Sequence, residues 1–297
     1  MEIGRKGAKT NFIAGENCNY LDAKVVVVPV PFEGTVTYKT GTSKGPEAII
    51  DASQNIEWFD EELLYEPAQL GFFTMAALDV RSKKPEEVAA MVEESVSQLL
   101  EDGKFPMLLG GEHSVSAGAF SAFRKKFGDF TILQFDAHPD LREDYEGSKY
   151  SHACIMRRAF DLGIGIVQVG IRGVCREDYE FMETHKGKVR TFYAKDMGEW
   201  DLNKIVDSCS EKVYISFDID AFDSSVMPAT GTPEPGGVYW RQVVGILQAI
   251  SNRKKIIGAD VVELLPTPGL HACDFLAAKL AYKIIGCALK KNNSVKK

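Results

Sequence analysis

Asp136, His138 and Asp140 follow one another at intervals of two in FTILQFDAHPD, directly behind a run of apolar residues. Carboxylate and imidazole are donors that divalent cations take up readily. Strand residues two apart share a face, so this spacing predicts three ligands emerging together at one strand end. VYISFDID repeats the device with Asp218 and Asp220. Two carboxylates held so close repel unless a cation lies between them. A third apolar run, PMLLGGEHS, turns on two glycines before His113, with Ser114 suited to cap the helix that follows. One Asp or His at a strand end is ordinarily a cap or a loop hydrogen-bond partner. Three strands ending this way are not explained by capping, because charged groups behind apolar runs are paired or metal-bound when buried. The expectation is a centre for two divalent ions held by His113, Asp136, His138, Asp140, Asp218 and Asp220.

The elements that must position these residues alternate. Short β-branched runs (VVVVPVPF, PMLLGG, FTILQFDA, GIVQVGIRG, KVYISFDID, KKIIGADVVELLP) are separated by helical stretches in a βαβ rhythm. PEEVAAMVEESVSQLLEDG shows the punctuation well, with Pro85 and acidic residues in the first turn and Gly103 at the end. Strands apolar on both faces belong in a parallel sheet covered by helices on each side, so a three-layer α/β/α sandwich is expected, as one domain over residues 1–297. The long irregular stretches near 32–45, 138–151 and 221–238 all follow strands, and in open α/β sheets that end carries the site. A polar tail, KKNNSVKK, closes the chain; its Asn292-Asn293-Ser294 fits a glycosylation sequon but has no secretory signal to give it meaning.

Composition narrows the class. The 297 residues are 45% hydrophobic and 26% charged, enough for one large core, and the net charge of -7 argues against a nucleic-acid surface. A cationic small molecule suits that field better. No apolar run is long enough to span a bilayer, and the six cysteines show no CxxC and no pairing rhythm; reduced thiols in the cytoplasm are expected.

GGEHS, DAHPD and SFDIDAFDSSVMPATGTPEPGG closely resemble the three signature regions of the ureohydrolase family, which includes arginases and agmatinases. The resemblance extends upstream to PFEGTVTYKTGTSKGPEAI, similar to the agmatinase-side N-terminal motif, and downstream to DVVELLPTPG, similar to the family's late glutamate motif. It implies two Mn²⁺ per subunit on the six residues above, an arginase/deacetylase-like sheet of about eight mostly parallel strands, and a homo-oligomer, trimer or hexamer. It implies a general acid or proton shuttle in His152, a guanidinium-gripping carboxylate in Glu263, and a supporting role for Asp223, where Ser224 replaces the proline that commonly follows. Leu265 stands where asparagine is commonplace.

Four aspartates balance two divalent ions, and added hydroxide makes the centre anionic, so a guanidinium cation is welcome there. Two metals lower the pKa of bound water from about 15.7 toward about 7. The loop after Asp140 carries Glu143, Asp144 and Glu146, and Glu234 stands where agmatinases tend to have glutamate. Such acids, Glu143 and Glu234 foremost, suit a distal ammonium, and the resemblance points to agmatine, with aminopropylagmatine next, then guanidinobutyrate and arginine. Two other classes stay open: a zinc amide hydrolase, which would need fewer carboxylates, and a ureohydrolase-like binding protein that has lost catalysis.

Overall fold

The structure, a computed structural model, describes residues 6–13 and 18–290. The polar tail and its sequon fall almost wholly outside them. Among the described residues, eight strands form one sheet: β1 (Val25–Val30), β2 (Phe72–Thr74), β3 (Phe105–Gly110), β4 (Thr131–Phe135), β5 (Gly165–Ile171), β6 (Val189–Tyr193), β7 (Lys212–Asp218) and β8 (Lys255–Val262). Their order is β2-β1-β3-β8-β7-β4-β5-β6, and every pairing is parallel. All strand C-termini therefore point to one edge of the molecule.

Eight α-helices cover the faces: α1 (Gly45–Ser53), α2 (Pro85–Glu101), α3 (Ser116–Phe127), α4 (Ile155–Asp161), α5 (Arg176–Thr184), α6 (Leu202–Ser208), α7 (Trp240–Arg253) and α8 (His271–Leu289). Alternate strand residues feed two cores. Val25, Leu133 and Ile215 pack with α1, α6, α7 and α8, whereas Val26, Ile132 and Tyr214 pack with α2, α3, α4 and α5. This is the three-layer sandwich expected from strands buried on both faces, with eight strands as the resemblance implied. No described helix is long and apolar enough to cross a membrane.

Two edge strands, β2 and β6, were not visible as apolar runs. β2 is three residues long, and β6 (VRTFY) is buried only at Val189, so neither shows the continuous hydrophobic signature of the inner strands. Ser114 does not cap α3, which has Val115 at its N-cap; its hydroxyl donates to Glu112 Oε1 at 2.5 Å instead. A closely approaching backbone explains the glycines before His113: a Cβ on Gly111 would stand 2.0 Å from the carbonyl oxygen of Phe32.

Candidate metal centre

The strands that lead to the six ligands, β3, β7 and β4, lie at the middle of the sheet together with β8, which leads to Glu263. His113 lies in a short turn after β3, and its Nδ1 is buried with no hydrogen-bond partner. That nitrogen is 3.0 Å from Asp140 Oδ2, 3.2 Å from Asp136 Oδ2 and 3.5 Å from Asp218 Oδ2. On its other side, Nε2 is 2.9 Å from Ser216 Oγ, whose hydroxyl donates to Asp260 Oδ1 at 2.9 Å. Because the one hydroxyl proton of Ser216 goes to Asp260, Nε2 carries an imidazole hydrogen, and Nδ1 is the nitrogen left to face the three carboxylates or a cation held among them.

A second group forms around His138, whose Nδ1 is 3.0 Å from Asp220 Oδ2 and 3.7 Å from Asp136 Oδ1. Asp136 thus turns one oxygen to each group. The two constellations, His113 with Asp136 and Asp140, and Asp136 with His138 and Asp220, share it. The arrangement differs from three ligands on one strand face. β4 ends at Phe135, and the chain then turns, with Asp140 in the left-handed region at φ 54°, so that His138 and Asp140 reach different groups. Likewise Asp218 ends β7, while Asp220 sits one step on in a short helical turn, its N–H donating to Asp218 Oδ1 at 2.9 Å.

Six such groups packed together have strong electrostatic consequences. Burial first, then the neighbouring aspartates, pushes the carboxyls of Asp136 and Asp218 up, and Asp140 to about 7. Burial opposes charge on His138 and Asp220 too, yet their ion pair holds the imidazole up to about 10 and the carboxyl down to about 2. Without cations the cluster must take up protons. A buried His113 Nδ1 without a hydrogen-bond partner and four buried aspartates fit two divalent cations, and oxygen and nitrogen donors without thiolate suit Mn²⁺ among several ions.

Glu263 and His152 line the same cleft as His113, His138, Asp140, Asp218 and Asp220, together with Val36 to Lys39 and Thr230 to Thr232. Glu263 follows β8 at φ 65°, an uncommon conformation for a side-chain-bearing residue. Its Oε1 accepts from the His113 N–H at 2.7 Å, a support that does not depend on Leu265. Burial and then Glu112 push its carboxyl well up, so a guanidinium cation is what would keep it ionised. Burial takes His152 down to about 4, with the charge of the metal-free histidine pair adding to it, which leaves a neutral imidazole at pH 7.

The other three candidate residues do not line this cleft. Glu143 is 43% exposed and pairs with Lys149 at 2.9 Å and Arg157 at 2.6 Å, so its charge is met by protein cations. Glu234 turns toward Gly173, beside the His138 ring. Asp223 touches none of the six ligands: it accepts from the N–H groups of Ser225, Gly236 and Gly237 at 3.0, 2.6 and 3.1 Å and so shapes the loop carrying Glu234. A larger depression lined by Lys186, Lys188, Arg190 and Lys204 opens at the opposite, N-terminal end of the strands, away from all of this chemistry.

Sequence reasoning passed over four residues that hold the site. Ser216 and Asp260 fix His113, and both are polar residues inside otherwise apolar strands, a signal that was there to be read. Arg172 clamps the loop after β7, its guanidinium donating to the carbonyls of Asp220, Phe222 and Glu234 at 2.7, 3.2 and 2.8 Å. Glu33 gathers the N–H groups of Gly41 and Ser43 at 2.9 and 3.0 Å, which closes the loop over the cleft.

A parallel α/β sandwich whose central strands deliver two His/Asp groups with a common aspartate defines the dinuclear metallohydrolase class. Comparison with known proteins makes this specific: the arginase family model matches residues 23–287, and the chain belongs to that family. It is a hydrolase of amidine carbon–nitrogen bonds. The chain is 39% identical to the N(1)-aminopropylagmatine ureohydrolase of Synechocystis over 90% of each chain, and 32% identical to the agmatinase of Pyrococcus horikoshii over 91% of this chain and 93% of that one. The crystal structure of an agmatine ureohydrolase from Thermoplasma volcanium superposes with a TM-score of 0.82 at 36% identity, covering 92% of both chains.

Proposed function

We propose that this chain hydrolyses the guanidinium group of a linear amine-tailed substrate: agmatine, giving putrescine and urea, or its aminopropyl derivative, giving the longer triamine and urea. The observation that carries the reading is that six ligand-type residues, an elevated glutamate and a neutral histidine converge where four central strands end. Two divalent ions, Mn²⁺ on family grounds, would be held by His113, Asp136, His138, Asp140, Asp218 and Asp220 and would supply hydroxide at neutral pH together with charge stabilisation.

The chain's own residues account for the rest. Glu263, with Oε1 fixed by the His113 N–H, takes the guanidinium as a charge-assisted pair and orients its carbon. His152, neutral before reaction, accepts a proton as water adds to that carbon and returns it to the amine nitrogen as the carbon–nitrogen bond breaks. The enclosing loops at Val36 to Lys39 and Thr230 to Thr232 limit water around the reacting carbon.

The identity of 39% to an aminopropylagmatine ureohydrolase favours the longer tail as the preferred substrate, ahead of agmatine. Glu234, whose Oε1 lies near Gly173 beside the His138 ring, is the acid offered to a distal ammonium, whereas Glu143 is already paired. Six unpaired cysteines support a reducing compartment such as the cytoplasm. A homo-oligomer is proposed from family likeness alone. Urea release from aminopropylagmatine, agmatine, guanidinobutyrate and arginine, with and without Mn²⁺, tests metal, reaction and tail together. Metal-dependent urea from the two amine-tailed compounds is expected. Preference for arginine, or no urea from any of them, would overturn the reading.

A further inference from the structure

The proton-carrying histidine is held by a residue far away in sequence. Thr35 Oγ1 lies 3.1 Å from His152 Nδ1 and also accepts from the His152 backbone N–H at 3.0 Å. Its own hydroxyl donates to Oε1 of the fully buried Glu112 at 2.8 Å. Glu112 is fixed in turn: Oε2 accepts from the N–H groups of Gly34 and Thr35, both at 2.7 Å, and Oε1 from Ser114. A hydroxyl has one proton. With that proton committed to Glu112, Thr35 can meet His152 Nδ1 only as an acceptor. Ser151 Oγ, at 3.4 Å, is the other hydroxyl near Nδ1, and it is too distant to compete on equal terms.

We propose that Thr35, anchored by Glu112, is a positioning residue that fixes His152 in the Nδ1–H tautomer, leaving Nε2 with its lone pair free to exchange a proton with the reacting groups. No hydrogen bond to Nε2 from the described residues competes for that role. The arrangement does for His152 what Ser216 and Asp260 do for His113, with the opposite nitrogen protonated. The catalytic consequence rests on the proposed function, whereas the tautomer itself does not.

The test separates the two. Histidines labelled with ¹⁵N, five in the whole chain, are observed in zinc-loaded, diamagnetic protein, with His152→Asn assigning the resonance. Wild-type His152 is expected to show a protonated Nδ1 and a bare Nε2. Thr35→Val, isosteric but without the hydroxyl, is expected to shift His152 toward the Nε2–H form and lower kcat about ten- to hundredfold, with KM little changed. Thr35→Ser is expected to restore both. An Nε2–H tautomer in wild type, an unchanged tautomer in Thr35→Val, or failure of Thr35→Ser to restore it overturns the proposal. If wild-type protein releases no urea while the tautomer responds as described, the functional reading fails and the positioning role stands.

Discussion

At the scale of single residues, the centre is a problem in placing lone pairs and protons. His113 presents Nδ1 because Ser216 and Asp260 hold its other nitrogen, and this dependence is measurable. Ser216→Ala removes the acceptor while leaving all six ligands, and is expected to weaken metal binding about ten- to hundredfold in a chelator competition; unchanged affinity would mean the tautomer is set otherwise. The raised pKa values of His138, about 10, and Asp140, about 7, give a sign to the pH dependence. Both bind protons more tightly in the metal-free fold than in isolation, so cations must expel those protons, and affinity rises with pH between about 6 and 8. Calorimetry of Mn²⁺ binding at pH 7 in two buffers of different ionisation enthalpy should register release of more than about one proton per chain. Binding that takes up protons would contradict this protonation pattern.

At the scale of elements, the inner strands and the ligand segments were legible because burial on both faces writes a continuous apolar run, and ligands stand out where that run stops. β2 and β6 were hidden because edge strands need no such run. The ligand residues could be named from sequence, but their division into two groups could not, since it depends on turns at Asp140 and after Asp218 that spacing alone does not specify. Arg172 was illegible for a related reason: its partners are backbone carbonyls from Asp220 to Pro235, which carry no side-chain signature. Arg172→Lys keeps the charge but loses the planar fork that spans those carbonyls. It is expected to speed amide hydrogen exchange across residues 221–238 and raise KM about fivefold, with the sheet's exchange unaltered. Exchange confined to its wild-type rate in that loop would show that the clamp is dispensable.

At the scale of the whole molecule, α8 is tied to the segment before β2 by an ion pair remote from the cleft: Lys283 Nζ lies 2.6 Å from Asp60 Oδ2 and 2.6 Å from Glu62 Oε2, with the lysine and Asp60 side chains 1% and 0% exposed. Removing the cation strands Asp60 in the interior. Lys283→Ala is expected to cost about 3 kcal/mol in urea unfolding while leaving kcat of the metal-loaded protein at its wild-type value. A loss below about 1 kcal/mol would show that Asp60 is satisfied by its backbone donors alone. The strand order carries a further consequence, in time rather than in space. His113 and Asp136 are close in sequence, yet β8 and β7, which lie late in the chain, are inserted between the strands that deliver them. A ribosome that has released β3 and β4 has made two strands that do not yet touch. The middle of the sheet waits for its last-made members, so ligand convergence, and with it tight capture of the cations, must follow the synthesis of β8.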